Sequence, residues 1–340
     1  MDNHYFIGID IGGTNVDALI VDHQLQTQGF LTTPIRSKSG QSSIAVIIEI
    51  VGNLLSQAGI SDFSQIAAIG VGVPGLVDAF TGQVELAVNL DQTSMPLGAL
   101  LETHFGRPVF VENDANAVAL GASKFLVDSS VKNLAFITIG TGVGAGLVLN
   151  GNIFHGSRNM AGEIGHMFVQ ESDIRCQCGN YGCLETFVAG PAIARMAQTA
   201  YLQNPATTSL VDLQKLEAED VFKAADQNDP IALEIVAAVG LVLARAIQGM
   251  VMSFDLEKII IGGGVSRAGE TLLRPILKEW AKMCSDSAMA SEVLLPERLM
   301  LCPADYKAGA WGAVAIALDR SSNNASSTNV FQKEPMVLSR

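Results

Sequence analysis

The sequence is short of positive charge, of cysteine and of long apolar runs, and each shortage argues against a class of protein. Lys and Arg total 21 against 34 Asp and Glu, a formal net charge of -13 in 340 residues. A balance that acidic repels a phosphate backbone, so neither nucleic acid nor an anionic membrane is expected as a partner. No run of ~18 apolar residues is free of charge, so no transmembrane helix is expected. The nearest approach, Ile235 to Ala244, lies between Glu234 and Arg245, as in a buried helix. Met1 to Ile11 carries Asp2 and Asp10 and no basic stretch, unlike a signal peptide. Cysteines number five, an odd count, and three of them fall at 176, 178 and 183. That pattern argues against a disulfide scaffold and for a reducing, cytoplasmic setting. There is no Gly-Lys-Ser/Thr of a P-loop. What is present is a globular composition, 49% hydrophobic and 16% charged. The length suggests about two domains on a prior of ~150 residues each.

Short β-rich runs ending in glycines alternate with longer helical patterns, which implies α/β architecture. Phe6 to Asp10 runs into Gly12-Gly13-Thr14 and returns through Val16 to Val21. Ile66 to Val73 ends at Pro74-Gly75, and Pro108 to Val111 ends at Glu112-Asn113-Asp114. Ala115 to Phe125 reads as a helix, Leu134 to Ile139 as a strand, Gly140 to Gly146 as a turn and Leu147 to Leu149 as its return. Ile231 to Val251 reads as one long helix with weak points at Gly240 and Gly249; Lys258 to Ile261 reads as a last core strand. The Phe6–Asp10 hairpin and the Phe136–Gly140 hairpin share a pattern of strand, Gly/Thr turn and apolar return, as a duplicated module would. Such a duplication places two glycine turns across a cleft from one another.

A tight Gly/Thr turn lets backbone N–H groups converge into a nest for phosphate oxygens. Three such turns end separate strands: Gly12-Gly13-Thr14, Gly140-Thr141-Gly142-Val143-Gly144 and Gly262-Gly263-Gly264. Together they favour a bound nucleotide. Gly70-x-Gly72-x-x-Gly75 matches a dinucleotide fingerprint only formally, because Pro74 stands in the turn and a second turn follows at Val77 to Gly82.

His166, Cys176, Cys178 and Cys183 offer four N/S donors with glycines at 179 and 182. This set suits a closed tetrahedral zinc site, structural because no coordination position stays open; the other reading is free thiols packed in a loop. Cys284 and Cys302 lie in apolar surroundings and read as core. Asp114 follows a strand and precedes a helix, where it serves either as an N-cap or as a general base. Glu163 and His166 sit three apart among glycines and apolar residues, and Glu185 follows the last cysteine. Buried carboxylates need partners, and sugar hydroxyls or structural ion pairs both supply them.

Asp10-Ile11-Gly12-Gly13-Thr14, Glu112-Asn113-Asp114-Ala115-Asn116, the run Gly140 to His166, Cys176-x-Cys178-Gly179-x-x-Gly182-Cys183-Leu184-Glu185 and Gly262-Gly263-Gly264-Val265-Ser266 together resemble the ROK family of repressors and sugar kinases. The resemblance runs in order from about Phe6 to Leu318. It implies the actin-like ATPase (ribonuclease H-like) duplicated fold, two α/β domains with a central cleft, and a homodimer, with a tetramer as the other assembly. It places a smaller N-terminal domain at 1–113 with a C-terminal return at about 308–320, a larger domain at 114–307 carrying the zinc loop 166–185, and a flexible tail at 321–340.

The resemblance further implies an ATP-dependent hexose kinase with catalytic Mg2+ and structural Zn2+. Asp114 matches the general base, and Gly75, Asn89, Asn113, Glu163, His166 and Glu185 match sugar contacts. Gly12, Gly13, Thr14, Thr141, Gly142, Gly263 and Gly264 match the nucleotide turns, and Asp10 lies near the magnesium. His166 is expected to put one ring nitrogen on zinc and the other on the sugar. Glucose is the expected substrate; N-acetylglucosamine, N-acetylmannosamine and fructose are the alternatives. Many members carry a Trp shortly after the Asn-Leu of Asn89-Leu90, where this chain has Asp91-Gln92. The repressors of the family carry a helix-turn-helix ahead of the first strand, and only five residues precede Phe6 here, so a repressor is not expected.

Overall fold

A computed structural model describes residues 4–35, 43–87, 92–203, 208, 210 and 216–327. The chain forms two compact units, Met1–Phe125 with Lys307–Arg340, and Leu126–Tyr306.

The first unit is built on β1 (Tyr5–Ile11), β2 (Asn15–Val21), β3 (Thr27–Pro34), β4 (Ile66–Val73) and a later strand, separated from β4 by the small sheet β5 (Leu76–Asp78), β6 (Gln83–Ala87) and β7 (Gln92–Met95). That later strand is β8 (Val109–Asn113), and the main sheet runs β3-β2-β1-β4-β8. β1 pairs antiparallel with β2 and parallel with β4. Both central strands are buried, as expected of near-continuous Ile/Val runs covered on two faces. Helices α1 (Ser43–Ala58), α2 (Leu97–Phe105) and α3 (Asp114–Phe125) complete this stretch.

The second unit repeats the plan. β9 (Leu134–Ile139), β10 (Val143–Leu149), β11 (Asn152–Ile153), β12 (Lys258–Gly262) and β13 (Leu299–Leu301) give the order β11-β10-β9-β12-β13. β9 again pairs antiparallel with its hairpin partner β10 and parallel with β12. The two hairpins read from the sequence are therefore equivalent places in two equivalent sheets. The return strand starts at Val143, so the glycine turn is shorter than the 140–146 expected: Gly144 and Gly146 pair with Thr138 and Phe136 in the ladder.

Around this sheet pack α4 (Glu185–Val188), α5 (Gly190–Gln203), α6 (Ala218–Asp226), α7 (Pro230–Phe254), α8 (Glu270–Asp286) and α9 (Ala288–Val293). The Asp229 side chain accepts from Ala232 N and Pro230 fills the first turn, a strong start signal for α7. By length and composition α7 could cross a membrane. Its apolar residues instead fill the core of the second unit, and an all-round apolar helix is what enclosure requires. Gly240 is no weakness there: a Cβ would collide with Pro275 of α8.

The last helix, α10 (Ala308–Ser327), belongs to the first unit. It lies against β1, β4 and α3 through residues that leave no room for a side chain. A Cβ on Gly121 of α3 would come within 2.7 Å of Gly312 Cα, and a Cβ on Gly8 or Gly70 would strike the α10 carbonyls of Ala310 or Ala313. This packing draws α3 into the first unit, so the boundary falls after Phe125 and not at 113. The expected tail also begins later. α10 continues to Ser327, with the hydroxyls of Ser321 and Ser322 bonded back to Leu318 O, a local pairing that lets serines continue a helix. Residues 328–340 lie outside the described residues.

Candidate functional site

In the first unit, Asp10 stands next to the end of β1 and Gly12-Gly13-Thr14 turns the chain into β2, with Gly12 N donating to Asn15 O at 2.9 Å. Gly13 and Thr14 are exposed; Thr14 O accepts from Ile35 N at 2.7 Å and Thr14 Oγ1 from Asn15 Nδ2 at 3.3 Å. Asp10 is half-buried, flanked by Gly72 and Gly309, and a Cβ on Gly309 would overlap its carboxylate. Burial, then the charges of Asp114 and Asp17, push its carboxyl up to about 7. Asp17 sits directly opposite Asp10 in the β1–β2 ladder. Among the described residues no cation pairs with Asp10, so the site has an excess of negative charge that a divalent cation would relieve. Oxygen donors of this kind suit Mg2+.

Asp114 opens α3 immediately after β8. Its Oδ1 accepts from Ala115 N at 2.9 Å and from Asn113 Nδ2 at 3.1 Å. Asn113 Nδ2 also donates to Gly75 O at 3.0 Å, and Asn113 Oδ1 accepts from Asn116 N at 3.1 Å. The N-cap of α3 is thus Asn113, and the capping role the sequence allowed Asp114 falls to its neighbour. Gly75 has φ of 121°, a conformation that favours glycine. Asn89 lies outside the described residues.

In the second unit, Gly162 and Gly165 press against the carbonyls of Ala145 and Val143, and neither could carry a Cβ. That contact sets the Ala161–His166 segment onto β10. His166 Nε2 lies 3.9 Å from Glu163 Oε2, and Nδ1 lies 3.6 Å from Cys176 Sγ. Cys178 and Cys183 Sγ are 3.6 Å apart, and the four ligand atoms all lie within 4.8 Å of one another. A tetrahedron with Zn–S bonds of ~2.3 Å has edges of about 3.8 Å, so the set fits a zinc ion. Burial, then sharing with Cys178 and Cys176, pushes the Cys183 thiol up to about 12; burial raises Cys176, while the Asn180 N–H lowers Cys178. Such thiols lose their protons when metal takes their place. The glycines expected to permit the wrap do so: Gly179 and Gly182 have φ of 94° and 75°.

Glu185 opens α4 and reaches the glycine turn between β9 and β10. Its Oε2 accepts from Val143 N at 3.0 Å, and a Cβ on Gly142 would come within 2.8 Å of it. One oxygen of this expected sugar contact is therefore already held by the turn. The same turn borders a cavity of about 820 Å³. Gly140, Thr141 and Gly264 of the glycine turns line it with the apolar Leu216, Phe222 and Val265, and the charged Glu219, Lys223, Asp226 and Arg267 also face it. Gly263 has φ of 87°, and its Cβ would fall 2.5 Å from Ile139 O. A cavity of this volume with glycine turns and apolar side chains in its wall is large enough for a nucleotide. The face of α6 that walls the cavity carried no motif in the sequence.

A ROK family profile matches residues 6–320. The chain belongs to the ROK family. Among its ROK relatives, the glucokinase of Halalkalibacterium halodurans is 39% identical over 281 residues, 81% of this chain and 85% of that one. The glucokinase of Thermotoga maritima is 34% identical over 320 residues, 92% of this chain and 97% of that one. A crystal structure of a ROK glucokinase from Streptomyces griseus, in complex with glucose and AMPPNP, matches at a TM-score of 0.72 and 28% identity, covering 93% of this chain and 99% of that one. The paired five-stranded sheets of this ROK chain are those of the actin-like ATPase fold.

Proposed function

We propose that this ROK chain is an ATP-dependent hexokinase that phosphorylates the 6-hydroxyl of glucose. The observation that carries the reading is Asp114. A carboxylate at a strand end, held by Ala115 N and Asn113 Nδ2, is placed where a general base of a transferase would stand. The glucokinase relatives support glucose as acceptor, and the AMPPNP bound to the Streptomyces griseus enzyme supports ATP as donor.

In this mechanism the sugar 6-oxygen attacks the γ-phosphorus of ATP as its bond to the β,γ-bridging oxygen breaks. The hydroxyl proton passes to Asp114, and ADP leaves. In the second unit the Thr141-Gly142 and Gly263-Gly264 turns offer backbone N–H groups to phosphates, and in the first unit Gly12, Gly13 and Thr14 offer groups of the same kind. Asp10 would hold Mg2+, which when bound neutralises charge on the phosphates. His166, Cys176, Cys178 and Cys183 would hold Zn2+, which when bound fixes the loop and takes no part in the chemistry. Asn113 in the first unit and, in the second, Glu163, His166 Nε2 and Glu185 Oε1 each carry a group able to bond a sugar hydroxyl; Cys176 Sγ lies 3.9 Å from that Oε1.

A panel of hexoses and N-acetylhexosamines with ATP, read as ADP release, tests the proposal. Glucose gives the highest kcat/KM, and 6-deoxyglucose binds competitively without reacting. A higher kcat/KM for an N-acetylhexosamine or fructose replaces glucose as the substrate, and phosphorylation of the 6-deoxy sugar overturns the acceptor hydroxyl.

A further inference from the structure

Two carboxylates are buried among the described residues. Asp229 caps α7. Glu112, 1% exposed, lies two residues before Asp114 and has no part in the chemistry above. Its Oε1 accepts from Asn113 N at 3.0 Å and from Asn116 Nδ2 at 3.2 Å, so it grips the strand-to-helix turn from beneath. Its Oε2 lies 3.6 Å from Arg320 Nη2 on α10.

Arg320 makes a second contact. Its Cζ lies 5.5 Å from the ring centroid of Phe80, at the tip between β5 and β6. Phe80 is 83% exposed, so little else packs against it, and a guanidinium is well suited to hold an aromatic face. The hairpin that carries Phe80 begins directly after Gly75, whose carbonyl receives the Asn113 amide. One guanidinium therefore spans the two segments that carry Gly75, Asn113 and Asp114. It is itself well anchored, because α10 is seated on β1, β4 and α3 by contacts that admit no added atom.

We propose that Arg320 is a positioning residue for phosphoryl transfer, acting through Glu112 on the Asn113–Asp114 turn and through Phe80 on the Gly75 hairpin. The proposal rests on the reading of Asp114 as the base. A base displaced by about 1 Å loses up to ~10²-fold in rate, which sets the size of the effect.

Removing Arg320 alone strands a buried carboxylate and threatens folding. The working variant is therefore Arg320→Ala/Glu112→Gln, which leaves no unpaired charge and keeps an oxygen for Asn113 N and Asn116 Nδ2. Its kcat for the hexose is expected to fall at least ~10-fold while KM for ATP stays within about twofold. Amide hydrogen exchange is expected to speed up at 113–116 and at 78–82. Arg320→Lys keeps the charge beside Glu112 but not the planar stack, so it is expected to keep protection at 113–116, lose it at 78–82, and recover most of kcat. Wild-type kcat and unchanged exchange at both segments in the double variant would overturn the proposal, as would changes confined to α10. The exchange result decides the positioning role by itself. The rate of Asp114→Asn in the same assay decides the underlying reading of the base.

Discussion

Replacing Asp10 by Asn is expected to stabilise the metal-free protein at alkaline pH while abolishing its activity. The carboxyl of Asp10 rises from the ordinary 3.8 to about 7, first through burial and then through Asp114 and Asp17. A shift of that size corresponds to about 4 kcal/mol at ~1.4 kcal/mol per unit, and partial solvent access reduces it to about 2–4. The sign follows from proton linkage. The folded state holds the proton more tightly than the unfolded chain, so the stabilisation present below pH 3.8 is lost as pH rises to about 7. Above pH 7 the wild type carries an ionised, repelled carboxylate, whereas Asn fills the same space between Gly72 and Gly309 without charge. Thermal unfolding at pH 5 and pH 8, in magnesium-free buffer without chelator, reads the difference. The variant should melt roughly 4–12 °C higher at pH 8 and by roughly 40% of that margin at pH 5, which lies part-way between the two pKa values. Added Mg2+ should raise the wild type and not the variant. A variant no more stable at pH 8, or an advantage independent of pH, would refute the account of this carboxylate cluster.

Two further outcomes follow from the second unit. Protein purified without chelator should carry one zinc per chain at pH 8 and lose it as the pH is lowered and the thiols reprotonate; Cys178→Ser should lower zinc content and raise the hexose KM before the fold melts, and elemental analysis with no zinc at pH 8 contradicts the site. Gly263→Ala forces a Cβ to 2.5 Å from Ile139 O at φ of 87°, whereas Gly264→Ala meets open space. Urea unfolding should show a loss of about 1–3 kcal/mol for the first and almost none for the second, and equal losses would discredit the geometry of that turn.

The parts of this protein legible in the sequence are those whose cause is local. A Gly/Thr turn between two apolar runs announces a hairpin wherever it occurs, so both the β1–β2 and β9–β10 hairpins and their kinship could be read. The four N/S donors of the His–Cys cluster lie close along the chain, and the Asp229-Pro230 start and apolar length of α7 mark a core helix. What could not be read depends on distant pairs. Gly8, Gly70 and Gly309 look like flexible points until α10 is laid across β1 and β4, and that contact joins residues about 300 positions apart. The same contact moves the unit boundary past α3 and gives Arg320 its place beside Glu112, which the sequence presented only as one letter of a motif. Glu185 likewise resembles a sugar contact by position, and only its distance to Val143 N reveals the second attachment to the glycine turn.

The central claim is that Asp114 takes the proton from the acceptor hydroxyl. Asp114→Asn preserves the shape of the site and an oxygen for Ala115 N, but it removes the basic carboxylate. With ATP, Mg2+ and the best hexose of the panel, kcat should fall by ~10²–10⁴-fold while hexose affinity measured by calorimetry stays within a few-fold of wild type. A variant that keeps near-normal kcat would contradict the account.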